Sequence, residues 1–72
     1  MEVKRVKVKL MLWEHDLKNT WLISSLAKKG IKVDKSSLCE ILSGRRTGKK
    51  AELVIDESLT ILKKYEQFSK AL

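Results

Sequence analysis

Val33 to Ala51 reads VDKSSLCEILSGRRTGKKA, and this stretch holds the start and the end of one short helix. Asp34 precedes the helix, where its side chain can accept a hydrogen bond from a backbone N–H of the first turn. Gly44 follows the helix and suits the left-handed turn that ends many helices. The pattern therefore predicts a helix over Lys35–Ser43. The apolar residues expected to face a core are Leu38, Ile41 and Leu42.

The outward face of this predicted helix carries side chains that suit contacts with DNA. Lys35 and Ser36 open that face, and lysine can donate to guanine while serine can donate or accept at several base edges. Ser37 could reach a base or a phosphate. Glu40 could accept from cytosine or orient a neighbouring arginine. Cys39 and Ser43 complete the outward face, which as an alternative would be only a polar, solvated surface.

A cluster of four cations comes directly after the helix. Gly44 precedes the cluster and Gly48 lies within it, so the backbone could approach a phosphate closely, and the cations could release counterions from DNA. The four residues are Arg45, Arg46, Lys49 and Lys50. The alternative is a solvated charged loop. RNA is a less suitable partner, because no aromatic platform for base stacking accompanies these cations.

The net charge of +7 is concentrated in the middle of the chain. Residues 19–50 carry eight Lys or Arg against two Asp or Glu, whereas residues 51–72 carry three against four. A localised basic segment is the electrostatic footprint expected of nucleic-acid binding. A basic surface kept for solubility remains the alternative.

Length and composition limit the fold and the kinds of site. Seventy-two residues make a single domain, 1–72, that buries a modest core and would gain stability from a partner chain. A lone Cys39 and a lone His15 supply neither an internal disulfide nor a structural zinc site. The apolar runs are too short for a membrane span or a signal peptide, so we expect a soluble, cytoplasmic protein without a membrane partner.

The first third of the chain predicts two elements. Val3, Val6, Leu10 and Trp13 follow helical spacing, so a helix is expected from about Lys4 to His15 with Trp13 in the core. Apolar and polar residues also alternate around Val6, so a short strand over about Glu2–Lys9 is the alternative.

A second helix is expected after Asn19 or Thr20, either of which would cap it, and it would end at Gly30. The inner residues expected for that helix are Leu22, Ile23, Leu26 and Ala27, with Trp21 at the core edge.

A long last helix is expected from about Ala51 to Ser69. Its apolar face is wider than a small helical core requires, so a second copy of the chain could cover part of it. The residues expected to pair are Leu62, Tyr65, Phe68 and Leu72. The alternative is that they fold back over the first helix. Together these elements predict an all-α small helical bundle.

The segment Leu17 to Ala51 resembles the helix-turn-helix of Cro and phage-repressor proteins. TWLISSL is similar to the positioning helix, and VDKSSLCEILSG is similar to the turn and recognition helix. The resemblance implies a homodimer that binds a palindrome-like site in double-stranded DNA, with Asn19 and Thr20 near the DNA backbone. The segment KKGIK makes the connection about five residues longer than the tight turn of the family.

The basic segment and the predicted helix favour a sequence-specific DNA-binding transcription regulator, and the resemblance implies one similar to a phage or mobile-element repressor. No positioned acid, base and nucleophile set points to an enzyme, and nothing in the sequence points to a cofactor or a small-molecule substrate. The alternative function is a protein-interaction module that binds another regulator or a host factor through the last helix.

Overall fold

The computed structural model describes residues 2–71, which form four helices and no strand. In chain order the helices are α1 (Glu2–Glu14), α2 (Asn19–Lys28), α3 (Lys35–Ser43) and α4 (Lys49–Ala71). The all-α prediction is confirmed, and the alternative of a short N-terminal strand is wrong. The bounds of α3 are those predicted. The helix α4 begins two residues earlier than expected, so Lys49 and Lys50 belong to its first turn and not to a loop.

All four helices contribute to one apolar core. The long helix α4 packs against α1, α2 and α3, and its contacts with α1 are the most extensive. The core side chains are Val8, Met11, Leu12, Leu22, Leu26, Leu38, Ile41, Leu42, Ala51, Val54, Ile55, Leu59 and Leu62. Among the described residues, no helix is both long and apolar enough to cross a membrane.

The face of α1 that enters the core is not the one that the helical spacing favoured. Val8, Met11 and Leu12 are buried, while Trp13 is 79% exposed. The expectation that Trp13 belongs to the core is therefore wrong. The helix carries apolar residues on two faces, and only its contacts with α3 and α4 decide which of them is buried.

The apolar face of α4 is used mainly within the chain. Leu62 is fully buried, so it is not available for the pairing predicted from the sequence. Tyr65 is half-buried and makes edge-to-face ring contacts with Trp21 at 5.4 Å and with His15 at 5.2 Å between centroids. Phe68 is 71% exposed, and Leu72 lies outside the described residues. Folding back within the chain accounts for Leu62 and Tyr65.

The helix α2 differs from its prediction at its start and on one face, whereas Gly30 follows its end as predicted. It begins at Asn19 after Lys18, whose side chain makes no capping hydrogen bond, so neither Asn19 nor Thr20 is the cap. Leu22 and Leu26 are buried and Ile23 packs at the core edge, as expected, but Ala27 is exposed. Lys28, Lys29 and Gly30, which follow Ala27, are also exposed, because the chain leaves the core at this end of α2.

The connection between α2 and α3 is an extended loop over residues 29–34. Gly30 takes a left-handed φ of +83°. The N–H of Ile31 then donates to the carbonyl of Leu26 at 3.0 Å, and the N–H of Gly30 donates to that of Ala27 at 3.0 Å. These two bonds satisfy carbonyls that a helix end leaves open. The KKGIK segment therefore forms the hydrogen-bonded C-terminus of α2 and the first part of the loop.

The C-terminal end of α3 accepts a hydrogen bond from Arg5, a residue of α1. Gly44 has φ +86°, and the N–H of Arg45 donates to the carbonyl of Glu40 at 2.9 Å. The Arg5 guanidinium, from α1, donates to the carbonyl of Leu42 at 2.9 Å. A cation at a helix C-terminus interacts favourably with the helix dipole. Arg5 thus ties α1 to the end of α3.

We expect Gly44→Ala to destabilise the fold more than Gly30→Ala does. Both positions have a left-handed φ, which costs an alanine about 1–2 kcal/mol. At Gly44 an added Cβ would lie 3.2 Å from the Arg5 Cζ, whereas nothing lies within 4 Å of a Cβ at Gly30. Chemical denaturation of both variants measures the difference. Equal destabilisation would mean that the Arg5 side chain moves away without cost.

Candidate nucleic-acid interface

The outward face of α3 is open to solvent along its whole length. Leu38, Ile41 and Leu42 hold the opposite face in the core. The exposed residues of the outward face are Lys35, Ser36, Cys39 and Ser43, with Glu40 half-buried at its edge. The prediction of which α3 residues face outward is therefore confirmed, apart from the partial burial of Glu40.

Asp34 sets the start of this face. Its Oδ1 accepts a hydrogen bond from the backbone N–H of Ser37 at 2.7 Å, so it is the cap that the sequence predicted. Hydrogen bonding from Ser37, helped by the charge of Arg46, holds the pKa of the Asp34 carboxyl below its ordinary value. Ser37 is half-buried and uses its backbone in the cap.

Because the pKa of Asp34 is lowered in the folded chain, we expect part of the stability of α3 to be lost at acid pH. Because folding favours the carboxylate, its contribution is complete above the ordinary pKa of 3.8 and is lost as the pH falls through the lower folded value. We expect Asp34→Ala to lower the thermal midpoint at neutral pH. We expect Asp34→Asn to keep an acceptor and most of that stability but to lose this pH dependence. Thermal melts of both variants between neutral and strongly acidic pH would test this, and an unchanged pH dependence in Asp34→Asn would contradict it.

The start of α2 lies along one side of the α3 face. A groove there is lined by Trp13 at the end of α1, by Asn19, and by Cys39 and Ser43 of α3. Asn19 is half-buried, and its neighbour Thr20 is exposed. The fold therefore places the first turn of α2 beside the outward face of α3, as the resemblance implied.

Cations border the other side of the α3 face. A shallow groove at the start of α3 is lined by Lys32, Asp34, Ser37 and Lys50. Lys50 reaches this place because α4 starts near α3 and runs back along the core. Lys49, in the same first turn, is exposed. The cations from the predicted cluster thus extend from the end of α3 to its beginning.

The two arginines after α3 differ in their contacts. The Arg46 Nη2 donates to the Glu40 Oε1 at 3.1 Å, while Arg45 is exposed in the loop. The side chains of Arg46 and Glu40 are 53% and 44% exposed, so this ion pair adds little stability and can exchange for a phosphate contact. Of the two roles considered for Glu40, the orientation of an arginine is the one that the structure contains.

The acidic residues of α4 pair with cations elsewhere in the bundle. Lys4 meets Asp56 at 3.0 Å, and Lys29 meets Glu57 at 2.9 Å. These pairs connect α4 to α1 and to the end of α2. The acids in the middle of α4 are therefore largely matched by cations outside the basic groups beside α3.

The structure places beside the α3 face three residues that the sequence did not predict there. Lys32 borders the start of α3, and Lys9 and Trp13 line the groove beside Asn19. Lys32 lies in the basic middle segment, so the charge count could have indicated it. Lys9 and Trp13 had no such local signal, because their position depends on how α1 crosses α3.

The candidate interface thus combines an open helix face with one polar and one basic flank. Comparisons of the chain with protein-family models, with curated proteins and with solved structures found no match, so its interpretation depends on this geometry and on the residues themselves.

Proposed function

We propose that this protein is a sequence-specific regulator of transcription that binds double-stranded DNA, similar to Cro and phage-repressor helix-turn-helix proteins. The observation that carries the proposal is the open face of α3 between the first turn of α2 and the cations Lys32 and Lys50. A major groove about 12 Å wide accepts a helix about 10–12 Å across. Phosphates border that groove on both sides, where the two flanks would lie.

In this proposal the first turn of α3 reads the bases. Lys35 and Ser36 are exposed there and would reach base edges, while Ser37 supports them through the Asp34 cap. Glu40 keeps Arg46 near the same face. Direct contacts to base edges give specificity, and contacts to phosphates fix the register of the protein on the duplex.

The flanks of the face would bind the sugar–phosphate backbone. Arg45, Arg46, Lys49 and Lys50 provide cations on one side. On the other side, the side chain of Lys18 leaves the first N–H groups of α2 uncapped, and Asn19 and Thr20 lie in that turn. A helix N-terminus with open N–H groups favours a phosphate. A regulator of the phage or mobile-element repressor kind would act in the cytoplasm.

A binding titration tests the proposal directly. Fluorescence anisotropy with labelled duplex DNA, single-stranded DNA and duplex RNA would be measured over a series of salt concentrations. We expect the duplex DNA to bind most tightly, and the logarithm of the affinity to fall linearly with the logarithm of the salt concentration. Binding that is absent at low salt, or that prefers RNA, would refute a DNA-binding role.

Substitutions in the first turn of α3 should change which sites are preferred. We expect Lys35→Ala and Ser36→Ala to alter the ranking of sites selected from a random duplex library, by roughly 1–3 kcal/mol for each good base contact. Ser43→Ala, at the far end of the same exposed face, is the matched control and should leave the ranking nearly unchanged. If the ranking is identical in all three variants, α3 is not the reading helix.

The second candidate function is a protein-interaction module. The observation that favours it is Phe68, which is 71% exposed in the last turns of α4. A large exposed aromatic side chain is typical of an interface with another protein. Phe68→Ala separates the two functions, because it should leave DNA affinity unchanged but would abolish capture of a regulator or host factor through α4.

A further inference from the structure

The most unusual surface of this small domain is an exposed apolar stripe along α1. Val3 is 79% exposed, Val6 52%, Leu10 50% and Trp13 79%. The four side chains form one row on the helix, because the steps between them are three, four and three residues. We refer to them as the α1 stripe. A contiguous apolar surface of this kind on a small protein indicates an interaction site.

None of the four stripe residues belongs to the apolar core of the chain. Val8, Met11 and Leu12 supply the contacts of α1 with the core and are nearly or completely buried. The spacing of the stripe is also that of the a and d positions of a heptad. Residues at these positions pack between the helices of a coiled coil. The stripe therefore fits a partner helix with the same spacing.

The charges beside the stripe favour a second copy of α1 as that partner. Lys9 lies on one flank, in the groove shared with Cys39, and Glu14 lies on the other flank, in the groove shared with Lys63. In heptad terms Lys9 precedes an a position and Glu14 follows a d position. Two parallel copies would place each Lys9 beside Glu14 of the other copy. An antiparallel arrangement centred on the stripe would instead bring Lys9 near Lys9.

We propose that the α1 stripe is a symmetric homodimer interface in which two α1 helices pair in parallel. The pairing surface lies on α1, and not on the Leu62 and Tyr65 face of α4, which is used within the chain. The inference deepens the proposed function, because a dimer would bring two α3 helices to one palindrome-like site. The pairing itself does not depend on DNA.

The size of the stripe sets the strength expected of the pairing. Four side chains would bury a few hundred Å² per copy, which is less than the roughly 800 Å² per partner of a standard interface. The free protein should therefore dimerise weakly, with a dissociation constant of about 10–100 µM. A site with two half-sites would strengthen the pairing by holding both copies together.

Sedimentation equilibrium of the full chain without DNA tests the surface. We expect a monomer–dimer equilibrium for the wild type and at least about tenfold weaker dimerisation for Leu10→Glu. Leu53→Glu is the matched control, because Leu53 on α4 is 49% exposed and Leu10 is 50% exposed. Circular dichroism would establish that both variants fold. A wild type that is monomeric throughout, or equal effects of the two substitutions, would overturn the proposal.

Disulfide trapping tests the parallel direction. With Cys39 replaced by serine, Leu10→Cys should form a disulfide dimer with itself, because a parallel pair places the two copies of Leu10 side by side. Leu53→Cys, in the same background, should not. Faster trapping between Val6→Cys and Leu10→Cys chains than between two Leu10→Cys chains would mean that the helices are antiparallel and would refute the arrangement.

Charge reversal tests the flanks. Lys9→Glu and Glu14→Lys should each weaken dimerisation, and the double variant should restore it, because both interchain pairs are re-formed with opposite polarity. Failure of the double variant to restore pairing would overturn the parallel register. Stripe-dependent binding to anionic phospholipid vesicles by a chain that stays monomeric would show a lipid surface as the occupant instead.

These experiments separate the two proposals. A chain that dimerises through α1 but does not bind duplex DNA would refute the proposed function and leave the interface. A chain that binds duplex DNA but stays monomeric in sedimentation equilibrium would refute the interface and leave the DNA-binding function.

Discussion

Alanine at Leu38 should leave much of the protein unfolded at physiological temperature and abolish DNA binding. Leu38 is fully buried in the middle of α3, where its side chain joins the cluster formed by all four helices. Removing a buried leucine side chain costs about 2–5 kcal/mol, because the transfer energy is lost and a cavity remains. A domain of this size rarely has more than about 3–5 kcal/mol of stability from its core. Thermal and urea denaturation followed by circular dichroism would measure the loss.

Cys39 provides the control for that substitution on the same helix. It is the next residue along the chain, and it is exposed. We expect Cys39→Ala to change the denaturation midpoint little, because no core contact is removed. If Leu38→Ala kept the denaturation midpoint of the wild type, Leu38 would not lie in the core of the folded protein. The comparison also separates loss of fold from loss of the reading face.

Replacing both Arg45 and Arg46 with alanine should weaken binding to every duplex by a similar factor. If each arginine contacts one phosphate, the salt dependence should flatten by about 1.8, since one contact contributes about 0.9 to the slope. At roughly 0.1 M salt this corresponds to an affinity lower by about 10- to 100-fold. The ranking of sites should stay the same, because phosphate contacts do not read sequence. Anisotropy titrations over a salt series measure both quantities.

The control for the arginine variant is another double variant that also removes two positive charges. Lys63 and Lys64 are exposed near the middle of α4, about 20 Å along that helix from its first turn. We expect Lys63→Ala with Lys64→Ala to change the affinity much less, since only long-range attraction is lost and salt screens it. Equal effects of the two double variants would show that the net charge governs DNA affinity and that Arg45 and Arg46 make no direct phosphate contacts.

The residues proposed for base reading could be identified from the sequence because they lie on one short helix. Lys35, Ser36 and Ser37 follow the cap directly, and three buried residues define the opposite face. The flanks could be predicted only in part. The order of residues along the chain does not show that Lys50 approaches the beginning of α3, or that Glu40 holds Arg46, since both depend on how the chain turns after Gly44.

The sequence by itself determined the helices whose ends have strong local signals. The bounds of α3 follow from Asp34 and Gly44, because a cap hydrogen bond and a left-handed glycine act over three or four residues. The all-α class follows in the same way from helical spacing and from the glycines that separate the segments.

Only the tertiary structure decided how the apolar surface of the chain is divided between core and solvent. The helix α1 has apolar residues on two faces, and local periodicity cannot rank them. Its packing against α3 and α4 buries Val8 and Leu12 and leaves Val6 and Leu10 exposed. The same packing brings Arg5 to the carbonyl of Leu42 and buries Leu62. Burial depends on contacts between helices distant in sequence, and those contacts form only when the whole bundle does.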